Sequence, residues 1–309
     1  MANVTVLAGG VGAARFLEGV VQVVPQRDIT VISNTGDDEE FFGLRVSPDV
    51  DIVIYTLAGA IDKEKGWGLA GETFHALEAI RRFGYETWFN LGDGDLATHA
   101  HRTRLLREGA TLSEATRSIA QAFGLELTLL PVSDDRIRTL VETDAGTLAF
   151  QEYFVKRRTE DVVRAVRFDG IESARPAPGV IEAIRGADVV AVAPSNPVVS
   201  IGPLLAVRGV REALRETAAT VVGVSPIIGG RTIKGPADRM MASLGMTPTA
   251  AGVAEAYRDF LDVLVIDEED RALAPAVEAV GVRAVVAPTI MRGPAEKRAL
   301  AQVVLGAVQ

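Results

Sequence analysis

Val4-Thr5-Val6-Leu7-Ala8-Gly9-Gly10-Val11-Gly12-Ala13-Ala14-Arg15-Phe16-Leu17-Glu18-Gly19-Val20-Val21 decides how the rest of this chain is read. Its first five residues read as a buried strand, an apolar run with almost no polar break. Glycines follow, then a helix-like stretch. A strand, a glycine turn and a helix start bring backbone N–H groups and the positive end of a helix to one point, which suits a phosphate. Glycine lets the main chain approach an anion with no Cβ in the way. The stretch is not a Walker loop, because no Gly-Lys-Ser/Thr follows. It is not a full dinucleotide fingerprint either, because Arg15 stands where the third glycine would be. The plain alternative is a tight strand-to-helix turn of the kind any α/β protein contains.

Outward from this point, strand-like and helix-like segments alternate. Ile29–Ile32, Trp88–Leu91, Leu125–Leu130, Asp188–Val192, Thr220–Val224, Val263–Ile266 and Ala284–Val286 read as strands. Val50–Leu57, Phe74–Ile80, Thr111–Phe123, Val180–Arg185, Val210–Thr217 and Pro294–Gly306 read as helices, with Thr111 and Glu114 spaced as a capping box. Between Arg138 and Val166, apolar and polar residues alternate around Asp144-Ala145-Gly146, which predicts an antiparallel hairpin. The expected fold is α/β: a Rossmann-like, mainly parallel sheet with helices on both faces and a smaller antiparallel/α insertion. We expect one domain over 1–309, with an inserted subdomain at about 110–175.

Composition narrows the function. The chain has 309 residues, is 48% hydrophobic and carries a net charge of −9. An acidic chain argues against a nucleic-acid groove, which needs a basic face. No cysteine is present, so disulfides, thiolate nucleophiles and cysteine–zinc sites are excluded. The sequence starts directly in a strand rather than a signal peptide. No apolar run approaches the roughly 20 residues that span a bilayer. The expected location is the cytoplasm, away from membranes.

Polar, glycine-rich segments follow the expected strands. They are Ser33-Asn34-Thr35-Gly36-Asp37-Asp38, Gly92-Asp93-Gly94-Asp95, Pro131–Asp135, Pro194-Ser195-Asn196-Pro197 and Ser225–Gly230. In an open parallel sheet such loops share the carboxyl edge, where ligands bind. Together they suggest a polar cleft for a ligand with several phosphate and sugar groups. Asp37, Asp38, Asp49, Asp62, Asp93 and Asp95 are candidates to hold a divalent cation, because magnesium takes a few carboxylates plus waters and substrate phosphates. The alternative for each is a cap or a solvated loop charge. Asp49 opens an apolar helix after Ser47-Pro48, where its charge also suits the helix dipole. Of the three histidines, His99 is a candidate ligand contact, while His99 and His101 lack metal-ligand spacing. No nucleophile elbow or serine triad can be drawn, which disfavours a covalent hydrolase.

A longer series then stands out. Leu7–Leu17, Asn34-Thr35-Gly36-Asp37-Asp38, Gly43–Asp49, Gly66-Trp67-Gly68, Leu91-Gly92-Asp93, Asp95–His99, Phe150-Gln151-Glu152-Tyr153-Phe154, Pro194–Pro203 and Ser225–Gly230 occur in order. This series resembles the 2-phospho-L-lactate transferase family of deazaflavin coenzyme F-420 biosynthesis, which includes phosphoenolpyruvate transferase relatives. The resemblance implies a magnesium-dependent reaction between two substrates. One is 7,8-didemethyl-8-hydroxy-5-deazariboflavin; the other is a three-carbon phosphoacid activated as a guanosine diphosphate-type adduct. The terminal ribityl hydroxyl takes the phosphoacid and GMP leaves. Asp49 and Asp62 are then the expected metal and catalytic residues. The expected ligand contacts are Gly9, Gly10, Val11, Gly12, Ala13, Arg15, Asn34, Asp37, Asp38, Trp67, Asn90, Asp93, Asp95, His99, Ser195, Asn196, Pro197, Ser200 and Gly229. The Trp67 and Trp88 regions would face the flat ring. A homodimer is also implied.

The chain departs from the family pattern at Gly94, where a basic residue is common, and at Asn90 before Leu-Gly-Asp. The donated acid stays open among 2-phospholactyl, enolpyruvyl phosphate and 3-phosphoglyceryl groups. Two rival readings are an NAD-dependent oxidoreductase and a non-catalytic nucleotide-sugar-binding regulator. The first needs an acidic residue at the end of the second strand, where Ser33-Asn34 stand instead.

Overall fold

The computed structural model describes residues 2–307. Fourteen strands occur in chain order among them. They are β1 (Val4–Ala8), β2 (Ile29–Ser33), β3 (Glu39–Phe41), β4 (Leu44–Val46), β5 (Thr128–Pro131), β6 (Arg138–Thr143), β7 (Gly146–Ala149), β8 (Val163–Asp169), β9 (Val189–Val192), β10 (Thr220–Val224), β11 (Ile227–Ile228), β12 (Arg231–Thr232), β13 (Val263–Ile266) and β14 (Arg283–Val286).

Seven of these form one parallel sheet in the order β14-β13-β10-β9-β1-β2-β5. Counted along the chain, that order is the dinucleotide-binding arrangement with one added strand, and the chain reverses direction between β1 and β9. Val4 pairs with Ile29 on one side and Val189 on the other, which makes β1 the central strand. All five of its residues are buried, as the unbroken apolar run requires. Helices cover both faces over two apolar cores, one around Leu7, Ile32 and Val190, the other around Val6, Phe16 and Val31.

The helices obey local rules. α1 (Gly10–Val20) follows β1 without a break. It packs so closely on the C-terminal helix Pro294–Gly306 that a Cβ on Gly19 would overlap the Lys297 carbonyl. α2 (Pro48–Leu57) has proline at its start and Asp49 and Asp51 in its first turn. α3 (His75–Arg81), α4 (Asp93–Arg107) and α5 (Leu112–Ala122) follow. The capping box at α5 is formed: Thr111 accepts from the Glu114 N–H and Glu114 accepts from the Thr111 N–H. Thr111→Ala is therefore expected to lower stability by about 1 kcal/mol, read from the urea midpoint.

The expected hairpin forms as β6 and β7, and β8 adds to it as a three-stranded antiparallel sheet. One expected strand does not form. Trp88–Leu91 is irregular, because its aromatic side chains pack on the β3–β4 hairpin instead of joining the sheet. Phe89 stacks on Phe41 at 4.2 Å between ring centroids, and Trp88 meets Phe41 edge-on at 5.4 Å. The segment Gly92–Asp95 therefore opens α4 rather than following a strand.

Candidate functional site

A cleft of about 780 Å³ opens at the carboxyl ends of β1 and β9, the switch point of the sheet. The glycine turn forms its floor, and two close approaches explain the glycines there. A Cβ on Gly12 would overlap the Pro194 carbonyl oxygen. A Cβ on Gly9 would lie 2.7 Å from Ser200 Cβ and 3.0 Å from Asp49 Oδ2. The turn after β1 is thus pressed between the Ser-Asn-Pro loop after β9 and the start of α2. Gly12→Val is expected to separate these segments, lowering both the melting temperature and any nucleotide affinity; a variant binding guanine nucleotide like wild type would contradict this packing.

Ser195 lines the cleft and is 4% exposed, yet its Oγ has no hydrogen-bond partner among the described residues. A hydroxyl of this kind at a cleft is a candidate hydrogen-bond group for a ligand. The Asn196 Oδ1 accepts from the N–H groups of Val198 and Val199, which shapes the loop.

Asn34, at the end of β2, ties the acidic side of the cleft together. Its Nδ2 donates to Asp49 Oδ2 at 2.9 Å, to Asp37 Oδ1 at 3.3 Å and to the Val199 carbonyl at 3.3 Å. Asp37 also accepts from Gln151 at 3.1 Å. Burial raises the Asp37 pKa well above the carboxylate range, and the nearby charges of Asp49 and Asp38 add to it. Burial likewise pushes Asp49 up to about 6, against the opposing hydrogen bonds of Asn34 and the Gly10 N–H. Asp38, behind them, is pushed up to about 7 by burial despite Arg45, Ser47 and Arg102.

These carboxylates bind protons more tightly folded than unfolded, where the value is about 3.9. Their contribution to stability is present at low pH and is lost as pH rises through 6 and 7. The metal-free protein should melt at a lower temperature at pH 8 than at pH 5; an unchanged or higher melting temperature at pH 8 would contradict the burial of this group.

A second buried network lies beside the first. Arg102, 0% exposed, donates to Asp51 through both terminal nitrogens and to the Arg45 carbonyl. His99 sits 3.2 Å from Asp95 Oδ1 through Nε2 and 3.7 Å from Asp51 through Nδ1. Tyr55 donates its hydroxyl to the same Asp95 oxygen at 2.6 Å. Burial pushes Asp95 up, but His99, Tyr55 and Arg102 outweigh it and hold the carboxyl below its usual range. Asp51, Tyr55, Asp95 and His99 all line the cleft. Four aromatic side chains also line the cleft: Phe89, Phe150, Phe154 and Trp67.

The expected ligand residues divide by position. Gly9, Gly10, Val11, Gly12, Arg15, Asp37, Asp49, Trp67, Asn90, Asp95, His99, Ser195, Asn196 and Ser200 line the cleft. Ala13, Asn34, Asp38 and Pro197 are buried behind its lining. Asp93 lies off the cleft and receives Thr73 Oγ1 and the His75 and Ala76 N–H groups at the start of α3. Gly229 also lies off it, its N–H on Asp270. Asp62 is on the loop that carries Trp67, paired with Lys65 at 2.9 Å and accepting the Glu64 and Lys65 N–H groups.

Asp51, Tyr55, Arg102 and Lys234 escaped sequence reading. An apolar helix with two aspartates in its first turn gives no sign that Asp51 meets an arginine 51 residues later.

Comparisons with known proteins agree with this geometry. The family described as 2-phospho-L-lactate transferase CofD matches residues 4–286. A phosphoenolpyruvate transferase of Streptomyces griseus is 48% identical, with 94% of this chain and 93% of that protein covered. A 2-phospho-L-lactate transferase of Methanopyrus kandleri is 41% identical, covering 99% and 98%. Among solved structures, a UPF0052 family protein from Bacillus halodurans matches with a TM-score of 0.66 and 17% identity over 98% of this chain and 99% of that one, a likeness of fold. Since the family match spans nearly all the described residues and its glycine, Asn-Thr-Gly-Asp-Asp and Ser-Asn-Pro segments converge on one cleft, the chain belongs to the 2-phospho-L-lactate transferase family.

Proposed function

We propose that this transferase moves a phospho-three-carbon-acid group from a guanosine diphosphate-type donor to the terminal ribityl hydroxyl of the deazariboflavin, releasing GMP, in F-420 biosynthesis. The observation that carries the reading is the meeting of glycine turn, Ser195 hydroxyl (unpartnered among the described residues) and Asp37–Asp49 pair in one cleft that aromatic rings also line. The relatives from three Streptomyces species and Kitasatospora aureofaciens, 46–48% identical and described as phosphoenolpyruvate transferases, favour the enolpyruvyl form of the donor.

The amides of Gly10–Gly12 and Ser195 Oγ would donate to the donor's phosphate oxygens, and the aromatic side chains would take the flat ring. The hydroxyl oxygen attacks the phosphorus carrying the acid, and the bond from that phosphorus to the guanylyl phosphate breaks. The hydroxyl proton needs an acceptor; Asp37, a carboxylate that lines the cleft, is our candidate. Asp95, whose Oδ1 takes the Tyr55 hydroxyl and lies 3.2 Å from His99 Nε2, would accept from a second ribityl hydroxyl through Oδ2. Such a transfer relies on positioning and charge neutralisation, which agrees with the absence of cysteine.

The residues fit magnesium. Two buried carboxylates joined by Asn34, both with raised pKa, are what a bound cation would relieve. Asp49 remains the primary candidate ligand, and Asp62 would have to exchange Lys65 for the metal. Among the described residues no cluster of three or more His, Asp or Glu ligands is preformed, so an ion held here would draw its other ligands from substrate phosphates and water. When bound, magnesium would neutralise charge on the transferring phosphate.

The test incubates protein, deazariboflavin and magnesium with each guanylylated acid in turn and identifies products by mass. Dehydro-F-420 with no glutamate, plus GMP, is expected from the enolpyruvyl donor; absence of product from all three donors would end this reading.

A further inference from the structure

We propose that Lys234 and Arg15 form a cationic clamp on the phosphates of the guanine nucleotide, on the side of the glycine turn away from Asp49; this rests on the transfer reading above. Arg15, Lys234 and Arg292 all line the cleft. Among the described residues, none of the three lies within ion-pair distance of a carboxylate, whereas Arg45, Arg102, Arg138, Lys156 and Lys297 each do.

Lys234 is held in place without being neutralised. Its Nζ donates to the Lys65 carbonyl at 3.0 Å, while the Lys65 ammonium itself is paired with Asp62. The position a Cβ on Gly66 would occupy lies 3.1 Å from Lys234 Nζ and 3.8 Å from Val11 Cγ1. The ammonium therefore stands against the Gly66 loop, where Val11 of the glycine turn also approaches. Asp49 meets the same turn from Gly9 and Gly10. Partial burial and the like charge of Arg15 both press the Lys234 pKa down. Two cations that line one cleft, neither paired with an acid among the described residues, repel until an anion arrives. With converging amides beside them, a phosphate satisfies both: a point charge from lysine and a planar fork from arginine.

The test measures equilibrium binding of GDP, pyrophosphate and guanosine to wild type, Lys234→Met and Arg15→Met, with magnesium and without acceptor. Each variant should bind GDP and pyrophosphate about tenfold or more weakly, with a shallower salt dependence and unchanged guanosine affinity. Variants that bind GDP as tightly as a wild type that still makes product overturn the clamp alone. Variants that keep GDP affinity but lose affinity for the free three-carbon phosphoacid move the cations to the acid end and also overturn it. A wild type that binds neither GDP nor pyrophosphate overturns the clamp and the transfer reading together.

Discussion

Asp49→Asn is expected to lower turnover by about 10²-fold or more while leaving the protein folded. The substitution preserves shape, and the one remaining carbonyl oxygen can still accept from Asn34 Nδ2. What disappears is the charge. In the folded protein that charge is already disfavoured by burial, so its loss should leave thermal stability at pH 8 unchanged or slightly higher. A carboxylate kept at a structural cost, beside a helix start that lines a cleft, fits the role proposed for it in the reaction. The check pairs single-turnover rates with thermal melts across magnesium concentration. Near-normal turnover would remove Asp49 from the site; a large loss of stability would show that its role is structural.

Arg102→Met should produce the largest loss of stability, about 3–5 kcal/mol in urea unfolding, because it leaves Asp51 charged and buried without its partner. The Arg102 guanidinium also opposes the rise of the Asp38 pKa and contacts His99, so removal disturbs two further groups. Arg102→Met combined with Asp51→Asn should recover part of the loss, since the unpaired charge is then gone. Equal instability of single and double variants would show that packing around the arginine, rather than charge pairing, holds this end of α4 to α2.

The two variants probe different readability. Asp49 stands out in sequence because it follows Ser-Pro and opens a helix, positions where an acid has local reasons to be. Arg102 sits inside a polar-looking helix with nothing local to mark it as fully buried. Trp88 and Phe89 illustrate the reverse error. Their bulk and alternation resemble a strand, but their nearest apolar surface is Phe41, and that contact displaced sheet pairing. Asp93 and Asp95 stand two residues apart in one motif, yet Asp93 serves the start of α3 while Asp95 faces the cleft. A helix turns two neighbouring positions to different sides, and only the packing of α4 decides which side meets the ligand.

Local physics is enough to read the parallel sheet, the glycine turn, the capped helices and the β6–β7 hairpin from the chain alone, because strand period, glycine geometry and capping act over a few residues. The long Ser-Asn-Pro stretch and its companions likewise carried the family. Tertiary structure alone decided that Asn34 joins Asp37 to Asp49, that Arg102 neutralises Asp51, and that Lys234 stands at the glycine turn without an acid. Those pairings span 15, 51 and 169 residues of sequence, and charges act through distance in space, which no pattern of near neighbours records.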